Sequence, residues 1–206
     1  MNRFYCVTVG RQFSCGGSEI ARLVAEKLKI AYYDRELLER AAKAGGYALP
    51  VALAADEQPG GSFLYALSMG VADAAALCER LFAEQAKVIR EIAASQNCVM
   101  VGRCADEVLR GGNCVRVFLH ADEYERARRY QQVSGTDFPT ALTVVRKNDK
   151  TRAAYYRKST GQAWGIVDRY DLTLDTSVGE EAAAELIVQF VRRRIKPLTK
   201  TPTLVG

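Results

Sequence analysis

The sequence predicts an α/β fold: a parallel sheet covered by helices on both faces. Three observations predict it. Short apolar runs rich in β-branched residues alternate with segments of helical period along the chain. The opening unit reads strand, glycine-rich turn, helix. The polar residues best suited to chemistry, Arg11 to Ser18, Asp34, Gly102-Arg103 and His120, all follow predicted strands. They therefore converge on the carboxyl edge, where such sheets bind ligands.

The elements follow in order. Phe4 to Val9 is a buried strand ending at Gly10, and Ile20, Leu23, Val24 and Leu28 then recur at helical spacing. Ile30 to Tyr33 is a second strand, with Asp34 as N-cap of a helix over 35–44 that Gly45-Gly46 ends. Residues 47–62 have no period and carry Pro50, Pro59, Gly60 and Gly61, which predicts a loop; residues 47–70 read as a flap or a packing surface. A long Ala, Leu and Glu-rich helix covers 71–94, and Cys98 to Gly102 is the third strand. Val108 and Leu109 belong to a short helix, and Val115 to Leu119 is the fourth strand. Asp122 opens a helix to about Val133, Pro139 to Lys158 forms another, Tyr170 to Leu174 is the fifth strand, and a helix from Gly179 to Ile195 closes the domain. Residues 196–206 hold two prolines and read as a flexible tail.

The chain has 206 residues, enough for one domain with a core that needs no disulfides or metals. Its net charge of +5 is carried by the C-terminal cations Arg192, Arg193, Arg194, Lys196 and Lys200, with no acid after Glu185. The remainder is balanced, which disfavours nucleic acid as a partner. None of the six cysteines forms a C-x-x-C pair and His120 is the only histidine, so no zinc spacing exists. The pattern matches reduced cysteines in a cytoplasmic protein. The N-terminus shows no signal peptide, and no apolar stretch reaches the roughly 18–20 residues that span a bilayer.

Candidate chemistry is concentrated in three places. The loop Arg11-Gln12-Phe13-Ser14-Cys15-Gly16-Gly17-Ser18 could wrap phosphates with its backbone N–H groups and the helix N-terminus, or be an ordinary strand-to-helix turn. Laid on G-x-x-x-x-G-K-[ST], it keeps Gly16 and Ser18 but has Arg11 for the first glycine and Gly17 for the lysine. Arg103 could grip a phosphate in a fork, or be a surface arginine paired with Asp106. Arg126, Arg128 and Arg129, then Arg146, Lys147, Asp149, Lys150, Arg152, Arg157 and Lys158, with Asp149 and Arg152 on one helical face, either surround a migrating phosphoryl group or form a solvated face. Tyr155, Tyr156 and Trp164 read as packing residues, and His120 as structural.

Taken together, the blocks Val7 to Phe13 with Gly16-Gly17, Tyr32 to Leu38, Val101 to Asp106, Arg116 to Ala121, Asp149 to Tyr156 and Trp164-Gly165 resemble the cytidylate kinase-like family of P-loop proteins. The resemblance covers about residues 4–195. It implies a P-loop NTPase-type three-layer sandwich with a five-stranded parallel sheet and a helical lid at about 122–160. It also implies phosphoryl transfer from ATP, with Mg²⁺, to a nucleoside monophosphate, CMP or dCMP first.

By resemblance, Arg11, Ser14, Gly16, Gly17 and Ser18 would hold the ATP phosphates, with Ser18 on the metal. Asp34, Arg40, Arg103 and Asp106 would bind the acceptor. Arg126 and Arg129 would belong to the lid, and Arg146 and Arg152, with Arg11, would stabilise the transferred charge. The departure is Gly17, which removes the usual lysine; Arg11 could replace it with a guanidinium fork. Small nucleotides are thus the expected partners, without a membrane. The alternatives are a nucleotide-binding protein that has lost catalysis and a kinase for another small acceptor.

Overall fold

A computed structural model describes residues 4–52 and 74–195. The order is β1 (Cys6–Arg11), α1 (Gly17–Leu28), β2 (Ala31–Tyr33), α2 (Glu36–Ala44), α3 (Ala74–Ser95), β3 (Cys98–Val101), α4 (Ala105–Val108), β4 (Cys114–His120), α5 (Glu123–Ser134), α6 (Phe138–Thr160), β5 (Leu172–Asp175) and α7 (Glu180–Arg194). Two 3₁₀ turns, Val167–Arg169 and Thr176–Val178, flank β5. The five strands run parallel in the order β2-β3-β1-β4-β5. All five expected strands form, with ends displaced by at most two residues.

Both faces of the sheet are buried, which is why the strands read as apolar runs rather than as an alternation. Val7, Val9, Val99, Val101, Val115, Val117 and Leu119 pack with Ile20 and Val24 of α1 and Ile187 and Val191 of α7. Cys6, Cys98 and Met100 point the other way, against Leu37 and Leu38 of α2 and Leu81, Ile89 and Ile92 of α3. Each fully buried Val, Leu or Ile side chain contributes about 1.5–3 kcal/mol. Cys6 and Cys98 are register partners with sulfurs 3.4 Å apart, and all six cysteines are free.

Helices α5 and α6 form a hairpin with a third small core of Ala127, Ala141 and Val145. Its ends are fixed by local chemistry. Asp122 caps α5 by accepting from the Tyr124 and Glu125 amides at 2.8 and 3.2 Å, and Gly135 ends it at φ 71°. Asp137 then accepts from Thr140 N at 2.8 Å to start α6, and Gly161 ends that helix at φ 72°. The three-residue link 135–137 forces the helices to lie side by side.

Two local expectations change. Residue 35, not Asp34, is the N-cap of α2, and no side chain caps that helix. The Asp34 carboxylate instead turns toward Arg11 and Ser18, because pairing with a charge is worth more than an exposed cap. Residues 49–52 are helical rather than loop, with Ala52 buried in the α2–α3 core. The remainder of the expected flap, and the basic tail, lie outside the described residues. No helix among the described residues is long and apolar enough to cross a membrane.

Candidate functional site

Arg11 is the last residue of β1, and its side chain runs along the carboxyl edge of the sheet between two glycines. A Cβ on Gly17 would lie 2.6 Å from Arg11 Cβ and 2.8 Å from its Cγ. A Cβ on Gly102 would collide with Arg11 Nη1. Gly17, in the position of the usual lysine, therefore has no side chain because the stem of Arg11 fills that space. Gly102 leaves room for the guanidinium at the end of β3.

Around this arginine the backbone is held in the left-handed region. Gly102 at φ 69°, Arg103 at φ 55° and Cys104 at φ 54° follow one another. In the loop, Ser14 has φ 62° and Gly16 φ 79°. A non-glycine residue held there costs on the order of 1–2 kcal/mol, so three such residues at two strand ends mark a region shaped at the expense of stability.

The electrostatics are those of an anion site. Arg11 Nη2 lies 3.6 Å from Asp34 Oδ1, and both side chains are mostly buried. Asp34 Oδ2 also accepts from Ser18 Oγ at 3.1 Å and from Tyr32 Oη at 3.3 Å. Arg11 Nε is buried and has no hydrogen-bond partner among the described residues. Burial pushes the Arg103 guanidinium below its usual range; Arg11 adds to this, and Tyr155 and Asp34 oppose it. Arg11 is paired with Asp34 and the buried Arg103 guanidinium feels both, so this desolvated strand edge favours a further negative charge. Burial and Asp34 raise the Tyr32 hydroxyl, so it stays protonated as a donor.

Metal fit can be read from the same donors. Among the described residues no group of three or more His, Cys, Asp or Glu side chains could hold a metal. Mg²⁺, however, is commonly bound by one or two protein oxygens, with water and substrate phosphates completing the shell. The neighbouring Ser18 Oγ and Asp34 carboxylate fit that mode.

The hairpin reaches the same loop from the other side. Arg152 Nη1 donates to Arg11 O at 3.0 Å, and its guanidinium lies over the Phe13 ring at 5.4 Å. Arg126 Nη1 donates to Phe13 O at 3.0 Å and to Asp149 Oδ2 at 2.6 Å. Arg129 pairs with Glu180 beside Gly16, where a Cβ would meet Arg129 Nη1 at 3.1 Å. Beneath the loop, Cys15 is buried with its thiol 3.7 Å from Leu119 O, and burial holds that thiol above its usual pKa.

Arg11, Gly16, Gly17, Ser18, Asp34 and Arg103 therefore gather at one strand edge, and Arg126, Arg129 and Arg152 face the adjoining loop. Three of the expected residues point elsewhere. Arg146 makes a two-pronged bond to Glu123 at 3.0 and 2.8 Å on the exposed side of the hairpin. Arg40 lies over the Tyr33 ring at 5.2 Å. Asp106 is buried, accepts from Tyr156 Oη at 2.8 Å, and is raised above the usual carboxylate range by burial. Sequence reasoning placed Asp149 with Arg152 on one face of α6 but did not foresee its bonds to Phe13 N and Arg126. It also gave Tyr32 no role, although that residue opens the Tyr32 to Leu38 block.

Comparison with known proteins bears on the family and the fold. Residues 6–178 match the family described as the cytidylate kinase-like family. A cytidylate kinase from Thermoplasma acidophilum is 31% identical over 85 residues, which span 40% of this chain and 45% of that enzyme, so the match covers about half the length of this curated relative. An uncharacterized protein from Eubacterium ventriosum superposes with a TM-score of 0.70 at 25% identity, over 91% of this chain and 98% of the other. A gluconokinase from Sinorhizobium meliloti superposes with a TM-score of 0.53 at 15% identity over 91% of each chain, a likeness of fold. With the family match spanning most of its length, the chain belongs to the cytidylate kinase-like family.

Proposed function

We propose that this protein transfers the γ-phosphoryl group of Mg-ATP to a nucleoside monophosphate, with CMP or dCMP as acceptor. Family membership supports kinase-like chemistry on nucleotides. The single observation that carries the reading is Arg11, threaded between Gly17 and Gly102, with a buried Nε that has no partner among the described residues. It brings a fixed cation to the phosphate loop that has lost its lysine.

The amides of residues 14–18 and the N-terminus of α1 receive the ATP phosphates. Arg11 neutralises them with a planar fork where a lysine would use a point charge. Ser18 and Asp34 would hold Mg²⁺, which supplies further neutralisation of phosphate charge when bound. Arg103, with Asp34, orients the acceptor, Arg40 joins them on leaving the Tyr33 ring, and Asp106 holds Tyr156. Arg152 and Arg129 line the hairpin side. Arg146 joins them on leaving Glu123, a surface bond worth about 0–1 kcal/mol. No general base is needed, because positioning and charge stabilisation lower the barrier.

The absent lysine favours a second reading: nucleotide binding without turnover. A coupled ADP-release assay with Mg-ATP against CMP, dCMP, UMP, AMP and GMP separates the two. Turnover with CMP or dCMP that disappears in Arg103→Ala supports the kinase reading. Calorimetric ATP binding with no turnover on any acceptor supports the second. Turnover that survives Arg103→Ala removes Arg103 from the acceptor site.

A further inference from the structure

The hairpin holds the phosphate loop by its backbone. Asp149 Oδ1 accepts from Phe13 N at 2.7 Å, and Arg126 Nη1 donates to Phe13 O at 3.0 Å. Both main-chain polar groups of Phe13 thus bond to α5 and α6. The two side chains close the link with their own bond at 2.6 Å, and Arg126 Nε anchors to Ala121 O at 3.1 Å beyond the end of β4. The Phe13 ring fills the hairpin core beside Tyr130 at 5.5 Å, next to Ala127, Ala141 and Val145. Arg126 is 4% exposed, so its charge depends on this carboxylate.

Two consequences follow. The Phe13 amide is already engaged by Asp149, so an incoming phosphate meets the amides that begin at Ser14. The first half of the loop also cannot move without the hairpin, since buried bonds of this kind break together.

We propose that Asp149 is a positioning residue that locks the first half of the phosphate loop to the α5–α6 hairpin, so that the two move as one body and a nucleotide held by the loop stiffens the hairpin. Coupling of this kind is reciprocal: whatever fixes the hairpin also tightens the loop around its ligand.

The test compares wild type, Asp149→Ala and Asp149→Asn by amide hydrogen exchange followed by NMR. In the ligand-free protein the Phe13 amide should exchange about tenfold faster in Asp149→Ala, the factor expected for one lost hydrogen bond, and the amides of α5 and α6 should speed up with it. Asp149→Asn keeps an acceptor oxygen and should retain the Phe13 protection, while hairpin exchange rises because Arg126 faces no charge. If Asp149→Ala does not fold, that split in Asp149→Asn carries the test. Unchanged Phe13 exchange in Asp149→Ala, or unchanged hairpin exchange in Asp149→Asn, overturns the proposal.

A second arm rests on the kinase reading. Mg-ATP should slow hairpin exchange in wild type and leave it unchanged in Asp149→Ala, with KM for ATP raised about tenfold and KM for CMP unaltered. An equal rise in both constants would mean general loosening and contradict the proposal. If Mg-ATP fails to bind wild type, the kinase reading falls while the ligand-free arm still decides the role of Asp149.

Discussion

The hairpin forms the same ion pair twice, once on each side. On its inner side Arg126 meets Asp149 with side chains 5% and 18% exposed, and the pair also serves the Phe13 backbone. On its outer side Arg146 meets Glu123 with side chains 50% and 36% exposed, and water reaches both groups. Chemically the two are alike; energetically they are not. Water replaces either partner of the outer pair, whereas removing one partner of the inner pair strands a charge beside the loop. The number of arginines on a helix therefore says little until burial separates those that hold the site from those that coat it.

The largest effect should come from breaking the inner pair. Arg126→Met leaves Asp149 uncompensated and should cost about 3–5 kcal/mol in urea unfolding. A loss below about 1 kcal/mol would erase the contrast between the two sides.

Next comes the slot for Arg11. Gly102→Ala places a Cβ against Arg11 Nη1 at a residue with φ 69°, and should cost about 1–3 kcal/mol, measured by thermal unfolding. Gly111→Ala is the control: its φ is 81° but nothing lies within 4 Å of its Cβ, so the difference between the two variants isolates the contact with Arg11. Equal losses would show that Arg11 does not occupy the slot.

These contacts also mark where sequence reading stops. The strands were legible because double burial writes them as Val7 to Val9 and Val99 to Val101. The two hairpin helices were legible from the helical patterns after Asp122 and Pro139, and their ends are set locally, by Asp122 and Gly135 and by Asp137 and Gly161. The loop, Asp34 and Arg103 could be placed at one edge because each follows a strand. What Arg11 does to Gly17 and Gly102 was not legible, because Gly102 approaches only when β3 pairs beside β1. The partner of Asp149 was not legible for the same reason: 136 residues separate it from Phe13. Asp34 misled because a local capping rule lost to a non-local charge.

A smaller effect concerns Asp106, whose carboxyl is held above its ordinary range chiefly by burial. The folded protein then keeps a proton that the unfolded chain releases near pH 4. Stability from this group is fully present below that value, falls as pH rises through the raised folded pKa, and is level above it. Asp106→Asn keeps an acceptor for Tyr156 and removes the titration, so this part of the slope should vanish from urea midpoints taken between about pH 4 and 7. An unchanged slope would assign it to other groups.

The smallest effect belongs to the outer pair. Glu123→Gln should change stability by less than about 1 kcal/mol, with the residual difference falling further in high salt. A larger loss would place this pair with the inner one.

The central claim is that Arg11 supplies the charge the loop lost with its lysine. The direct measurement is ADP release with Mg-ATP and CMP by wild type, Arg11→Ala and Arg11→Lys, with folding checked by circular dichroism. The account predicts turnover in wild type, a loss of about a hundredfold or more in Arg11→Ala, and partial recovery in Arg11→Lys, which restores charge without the fork. Turnover by Arg11→Ala at the wild-type rate would contradict it.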